Sequence, residues 1–220
     1  MQEGKMVTKK ELYKKYCELI KYKLVNKNRS IPQNTALILI DVQKGFDDPK
    51  WGQRNNPQAE KNIAKLLTAW RKSNQPIFHI KHNSVEPHSP LRPEQSGNDI
   101  KDIVAPLPGE PLITKTVNSA LIGTNLEKQL RKQKIDTVVI VGLTTDHCVS
   151  TTSRMAGNLG FTVYVVSDAT ATFDRKGYNG KQYSAKMMHE AALVSLQNEF
   201  ATIIDTNTLL ATIAPLSKRV

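Results

Sequence analysis

The sequence predicts an α/β protein, a three-layer sandwich in which a doubly wound parallel sheet of about six strands carries helices on both faces. Three observations lead there. Short apolar runs recur along the chain, several rich in Val and Ile, and runs without polar alternation are strands buried on both faces. Between them lie segments with apolar residues at helical spacing, the mark of amphipathic helices. From about residue 35 the two kinds alternate, an order that gives a parallel sheet covered by helices.

The elements follow in order. Residues 1–33 read as a basic helical arm. Thr8 and Glu11 have capping-box spacing, and Leu12, Tyr16 and Leu19 mark one face. Residues 34–220 read as one domain, which the 220-residue length allows. Ala36–Ile40 is a strand ending at Asp41. Pro57–Ser73 is a helix with Ile63, Leu66, Leu67 and Trp70 on one face, and Pro76–Ile80 is a second strand. His82–Pro108 is a long Pro-rich stretch without period, and such loops are usually functional. Leu112–Lys115 is a third strand. Thr124 and Glu127 have capping-box spacing and open a helix running through Leu130. Thr137–Val141 is a fourth strand, broken at Gly142, with a helix starting near His147. Phe161–Val166, the helix Ala185–Leu196 and Phe200–Ile204 complete the pattern.

Composition narrows the class of partner. Hydrophobic residues at 39% and charged residues at 23% fit a soluble globular chain, and no apolar run reaches membrane-span length. The Lys-rich start is followed by no apolar stretch of signal type, so the expected compartment is the cytoplasm. The formal charge of +11 raises the question of nucleic acid. However, residues 1–30 hold nine Lys or Arg against three Glu, so over half of the excess sits in the arm, beside no nucleic-acid motif. The expected partner is a small-molecule substrate, with neither nucleic acid nor membrane. The two cysteines, Cys17 and Cys148, offer no disulfide framework and no zinc spacing.

In a doubly wound sheet, ligands bind beyond the carboxyl ends of the strands, where strand order reverses. Asp41 closes the first strand, Lys115 closes the third, and Cys148 follows the fourth across a Gly-led turn. A cysteine at a helix start faces free N–H groups and the positive end of the dipole, which favour thiolate. A neighbouring carboxylate can take its proton, and a lysine can balance their charge. Taken singly, each has a bland alternative: a capping Asp, a surface Lys, a buried inert Cys. Their shared placement is what makes them a candidate site.

These segments resemble the isochorismatase-like cysteine hydrolases: Leu37 to Gln43, Lys115 with the Thr-Val-Asn-Ser-Ala after it, and Val141 to Val149. The resemblance covers about residues 34 to 206 and implies the fold already read. It also implies roles. Cys148 attacks a carbonyl and forms a thioester, Asp41 is the general base and Lys115 its partner. The family's non-proline cis peptide falls at Leu143–Thr144, which would aim the N–H groups of Thr144 and Cys148 at an oxyanion. The implied activity is hydrolysis of a non-peptide C–N bond in a linear or cyclic amide, a carbamoyl or a ureido group. The alternatives are an ether hydrolase of the isochorismate type and a non-catalytic binding protein of the same fold. Members are usually oligomeric, so a homo-oligomer is expected.

Nicotinamidases of this superfamily hold a metal through an Asp-x-His pair and a further His. This chain has no such pair, since Asp47 and Asp48 are followed by Pro49 and Lys50. No metal and no cofactor are therefore expected. Position nominates Gln43, Phe46, Trp51, His82, Asn118, Ser119 and Phe173 as substrate-binding residues, and Arg92 as an anion contact. His147 adjoins the nucleophile in sequence, but on a helix it faces elsewhere and is not expected to be the base.

Overall fold

The computed structural model describes residues 31–213. The helical arm and its capping box, and Cys17, fall outside these residues. Six parallel strands form the central sheet: β1 (Thr35–Ile40), β2 (Ile77–His82), β3 (Leu112–Lys115), β4 (Thr137–Leu143), β5 (Thr162–Ala171) and β8 (Thr202–Ile204). Their order is β3-β2-β1-β4-β5-β8. The chain winds outward from β1 to β3 and then returns to place β4 on the other side of β1. Strand order therefore reverses between β1 and β4, which opens a crevice at their carboxyl ends.

Strand β1, apolar from Ala36 to Ile40, splits its side chains between two cores, as period-2 geometry requires. Leu37 and Leu39 join Ile63, Leu66, Leu67 and Trp70 of helix α1 (Ala59–Lys72) on one face. Ala36, Ile38 and Ile40 face α2 (Leu126–Lys132), α3 (Ser150–Asn158) and α4 (Ala185–Leu196) on the other. A short α5 (Thr206–Thr212) returns to the first face through Leu209. Trp70 is fully buried and donates its indole N–H to Thr35 O at 2.9 Å, which fixes α1 to the start of β1.

Several local expectations are corrected. The Thr124–Glu127 capping box does not form: α2 starts after Asn125, and Thr124 Oγ1 donates back to Ala120 O at 2.6 Å. The helix expected near His147 begins earlier, as a wide turn over Thr145–Val149 with Val149 N bonded to Thr144 O at 3.2 Å. Strand β5 continues past Val166 through polar residues, pairing Thr170 and Ala171 with Gly142 and Leu143 across a register shift. A two-stranded hairpin, β6 (Arg175–Lys176) with β7 (Gln182–Tyr183), follows it, and its four strand residues are too few for any periodicity to register. The His82–Pro108 stretch contains two short 3-10 turns, Ser96–Asn98 and Asp102–Val104.

Candidate active site

Asp41 follows the last residue of β1 with a left-handed backbone, φ 50°. That conformation is disfavoured for most side chains and tolerated by Asp. Lys115 ends β3, two strands from β1, about 10 Å away at ordinary strand spacing. Its long side chain crosses the end of β2 and brings Nζ to 2.6 Å from Asp41 Oδ2. Both side chains are fully buried. Cys148 lies in the turn after β4, with Sγ 3.3 Å from Lys115 Nζ and 3.6 Å from Asn118 Oδ1. The acid, the amine and the thiol expected from the sequence thus meet at the β1–β4 crevice.

The electrostatics differ from the expectation in one respect. Burial pushes the Cys148 thiol up to about 12, Asp41's charge adds to this, and Lys115 opposes it. The helix-start effect is outweighed because the residue is only 8% exposed, and removing a thiolate from water costs more than one helix turn returns. Burial also raises Asp41, against the attraction of Lys115. The resting thiol is therefore protonated, and it needs an adjacent base to become a nucleophile.

Asp41 and Cys148 open into a cavity of about 370 Å³. Phe46, Trp51 and Leu91 form its apolar wall, and His82, Asn118 and Thr144 a more polar one. Of the residues nominated from sequence, Phe46, Trp51, His82 and Asn118 line it. Gln43, Ser119 and Phe173 do not. Gln43 is fully buried, with its amide nitrogen bonded to His82 O and Asn98 O at 3.0 and 2.9 Å. Ser119 Oγ accepts from Leu121 N at 3.2 Å and braces the loop after β3. Phe173 stacks behind the wall, with ring centroids 6.1 Å from Phe46 and 5.7 Å from Trp51. Arg92 is also absent from the lining. His147 is exposed at the cavity edge, 3.7 Å from Asp146 Oδ2, and does not reach the thiol–acid pair. The peptide bond between Leu143 and Thr144 is cis.

Two braces on the Thr145–Val149 turn escaped the sequence reading. Asp146 binds Thr172 Oγ1 at 2.5 Å and Arg175 Nε at 3.1 Å, tying the turn to the hairpin. Thr145 Oγ1 lies 2.9 Å from His189 Nδ1 on α4. A signal for the second brace existed: His189 shares a buried stripe with Ala185, Leu193 and Leu196, and a histidine there requires a polar partner. No comparable signal marked the first, because Arg175 belongs to the hairpin.

Asp41, His82 and Cys148 also place one potential metal-ligand atom each within 4.8 Å of one another. Lys115 Nζ lies among them, 2.6 Å from the carboxylate, 3.0 Å from the imidazole and 3.3 Å from the sulfur. The position that a cation would take is held by the protein's own ammonium.

A thiol, a carboxylate and an ammonium thus come together at the switch point of a three-layer α/β sheet. The isochorismatase domain model matches residues 35–208. The chain belongs to the isochorismatase family, a family of hydrolases. It is 53% identical over 178 residues to the uncharacterised isochorismatase family protein YrdC of Bacillus subtilis, covering 81% of this chain and 95% of that protein. It is 29% identical over 187 residues to nicotinamidase 3 of Arabidopsis thaliana, covering 79% of this chain and 86% of that protein. Among solved structures, an isochorismatase-family protein from Chromobacterium violaceum superposes with a TM-score of 0.81 at 44% identity, over 84% of this chain and 96% of its own.

Proposed function

We propose that the protein hydrolyses a non-peptide C–N bond of a small molecule, a linear or cyclic amide, carbamoyl or ureido group, through a thioester on Cys148. The observation that carries this reading is the contact of one buried ammonium with both Asp41 and Cys148, at 2.6 and 3.3 Å, beside a cavity of substrate size. In the first half-reaction Asp41 accepts the thiol proton as Sγ adds to the carbonyl carbon. The C–N bond then breaks, and Asp41 passes that proton to the leaving nitrogen. In the second, Asp41 takes a proton from water, the oxygen adds to the thioester, and the C–S bond breaks to release the acid and restore the thiol. Lys115 balances the negative charge shared between Asp41 and sulfur. The backbone N–H groups of Thr144 and Cys148 are assigned to the oxyanion.

The cavity favours a compact substrate with a flat or apolar body, packed on Phe46 and Trp51 while its carbonyl faces Cys148. The wild-type protein and Cys148→Ala are to be screened against small linear and cyclic amides and ureido acids for release of ammonia, amine or ring-opened product. Turnover in the wild type, lost in Cys148→Ala, supports the reading. Turnover that survives the substitution overturns it and directs attention to ether hydrolysis without a covalent intermediate. A fully inert panel, with ligands still bound in the cavity, favours a binding protein.

A further inference from the structure

The contacts around Lys115 assign a part to His82 that differs from touching substrate. His82 and Lys115 are registered partners on adjacent strands, and His82 Nδ1 lies 3.0 Å from Lys115 Nζ. An ammonium carries only donors, so Nδ1 is the acceptor and the ring proton is on Nε2. The backbone of His82 is held as firmly. Its N–H donates to Gln43 Oε1 at 2.8 Å, and its carbonyl accepts from Gln43 Nε2 and Asn98 Nδ2, each at 3.0 Å.

We propose that His82 is a positioning residue: its neutral Nδ1 is the third acceptor that holds the Lys115 ammonium between Asp41 and Cys148, and the buried Gln43 amide fixes His82 in turn. The arithmetic of donors supports this. An ammonium has three N–H groups, and three groups surround Nζ: Asp41 Oδ2 as an ion pair at 2.6 Å, and Cys148 Sγ and His82 Nδ1 within hydrogen-bond distance at 3.3 and 3.0 Å. A lysine stem is flexible, and only a full set of partners leaves a fully buried Nζ with one orientation. Burial and the charge of Lys115 hold the imidazole down at about 4, so its lone pair is free at neutral pH. This also explains why Gln43, adjacent to the site in sequence, points away from the cavity.

The proposal rests on the hydrolase reading for turnover but not for thiol reactivity, so two readouts separate them. Full-length protein carrying Cys17→Ser leaves one thiol to report. In it, His82→Leu, His82→Gln and His82→Asn are compared for the rate of Cys148 alkylation by iodoacetamide at pH 8, and for kcat and KM on any amide found by the screen. Asn places Oδ1 where His places Nδ1, whereas Gln carries its amide further out. The expected result is alkylation about tenfold slower in the Leu and Gln variants, because Lys115 is what lowers the thiol pKa. Their kcat falls about tenfold to hundredfold, the range for losing one hydrogen bond to a charged group. His82→Asn recovers most of both. Equal impairment of Asn and Leu overturns the proposal, as do wild-type rates in all three. A rise in KM alone with unchanged alkylation also overturns it, since that marks a substrate contact. If the screen yields no substrate, alkylation alone decides, and if the Leu variant does not fold, the comparison of Asn with Gln decides.

Discussion

Replacing Gly142 by alanine perturbs the site from behind without touching any reactive group. Gly142 pairs with Ile40 on β1 and Thr170 on β5, at the register shift that precedes the Cys148 turn. Its φ is +118°, and a Cβ there would meet Ile40 O at 2.0 Å and Ile40 C and N at 2.8 Å. All three are backbone atoms of the central strand pair, so no side chain can swing aside. A non-glycine residue in this region costs roughly 1–3 kcal/mol, and forcing a methyl into a packed core costs roughly 1–3 more. The expected loss is about 2–6 kcal/mol, a large part of the roughly 5–15 kcal/mol that stabilises a typical domain. For a chain of 220 residues it lowers Tm by roughly 4–24 °C, at about 2–4 °C per kcal/mol. Urea unfolding followed by circular dichroism measures it. Relief of the clash pushes Asp41, which follows Ile40, away from Cys148, and a displacement of about 1 Å costs roughly a hundredfold in rate. A Gly142→Ala protein with the wild-type midpoint and activity would refute the reasoning.

Four further outcomes follow from the same geometry. Asp41→Asn removes the base and leaves Lys115 buried without its counter-charge; turnover falls by about 10²–10⁴-fold and stability by about 3–5 kcal/mol, read by initial rates and urea midpoints. Asp41 accepts the proton only as carboxylate, and burial raises its pKa, so kcat/KM holds above that pKa and falls as pH drops through it, with a limb above the ordinary value of 3.8; alkylation of Cys148 keeps rising with pH and shows no plateau below about 10, because the thiol lies near 12. Glu60 is desolvated, yet Arg54 and Lys101 at 2.6 and 2.8 Å hold it down to about 2; its contribution is present above 4.5 and lost as pH falls from there toward 2, so Glu60→Gln gives a shallower acid-unfolding curve in that window, and any difference confined to neutral pH contradicts the assignment. Phe46→Ala empties the stack with Trp51 and Phe173, lowering stability by about 3 kcal/mol and raising KM more than it lowers kcat; an unchanged KM argues against an aromatic substrate wall.

The central strands β1 and β4 were legible because they are buried on both faces, where apolar residues predominate. Asp41, Lys115 and Cys148 were legible for a related reason, since reactive side chains at strand ends fall at one edge once the sheet is parallel. What could not be read was register and packing. The pairing of His82 with Lys115 depends on β2–β3 alignment, which two short runs do not encode. Gln43 follows Asp41 by two residues, yet its backbone turns it inward, while Phe173 supports the aromatic wall from behind through a β5 end too polar to look like a strand. The thiolate expectation failed because dipole and N–H effects were weighed without the depth of burial. Thr124 had the spacing of a capping box, but its hydroxyl donates to Ala120 O and accepts from Leu126 N, the first N–H of the helix, instead of pairing with Glu127.

The central claim is that Cys148 becomes acylated. The most direct measurement is intact mass of the protein, acid-quenched during turnover of an amide found by the screen, followed by peptide mapping. The account predicts a population heavier by the acyl group, located on Cys148, removed by hydroxylamine and absent in Cys148→Ser. Steady turnover with unmodified Cys148 at every quench time, and a Cys148→Ser protein that retains the rate, would contradict it.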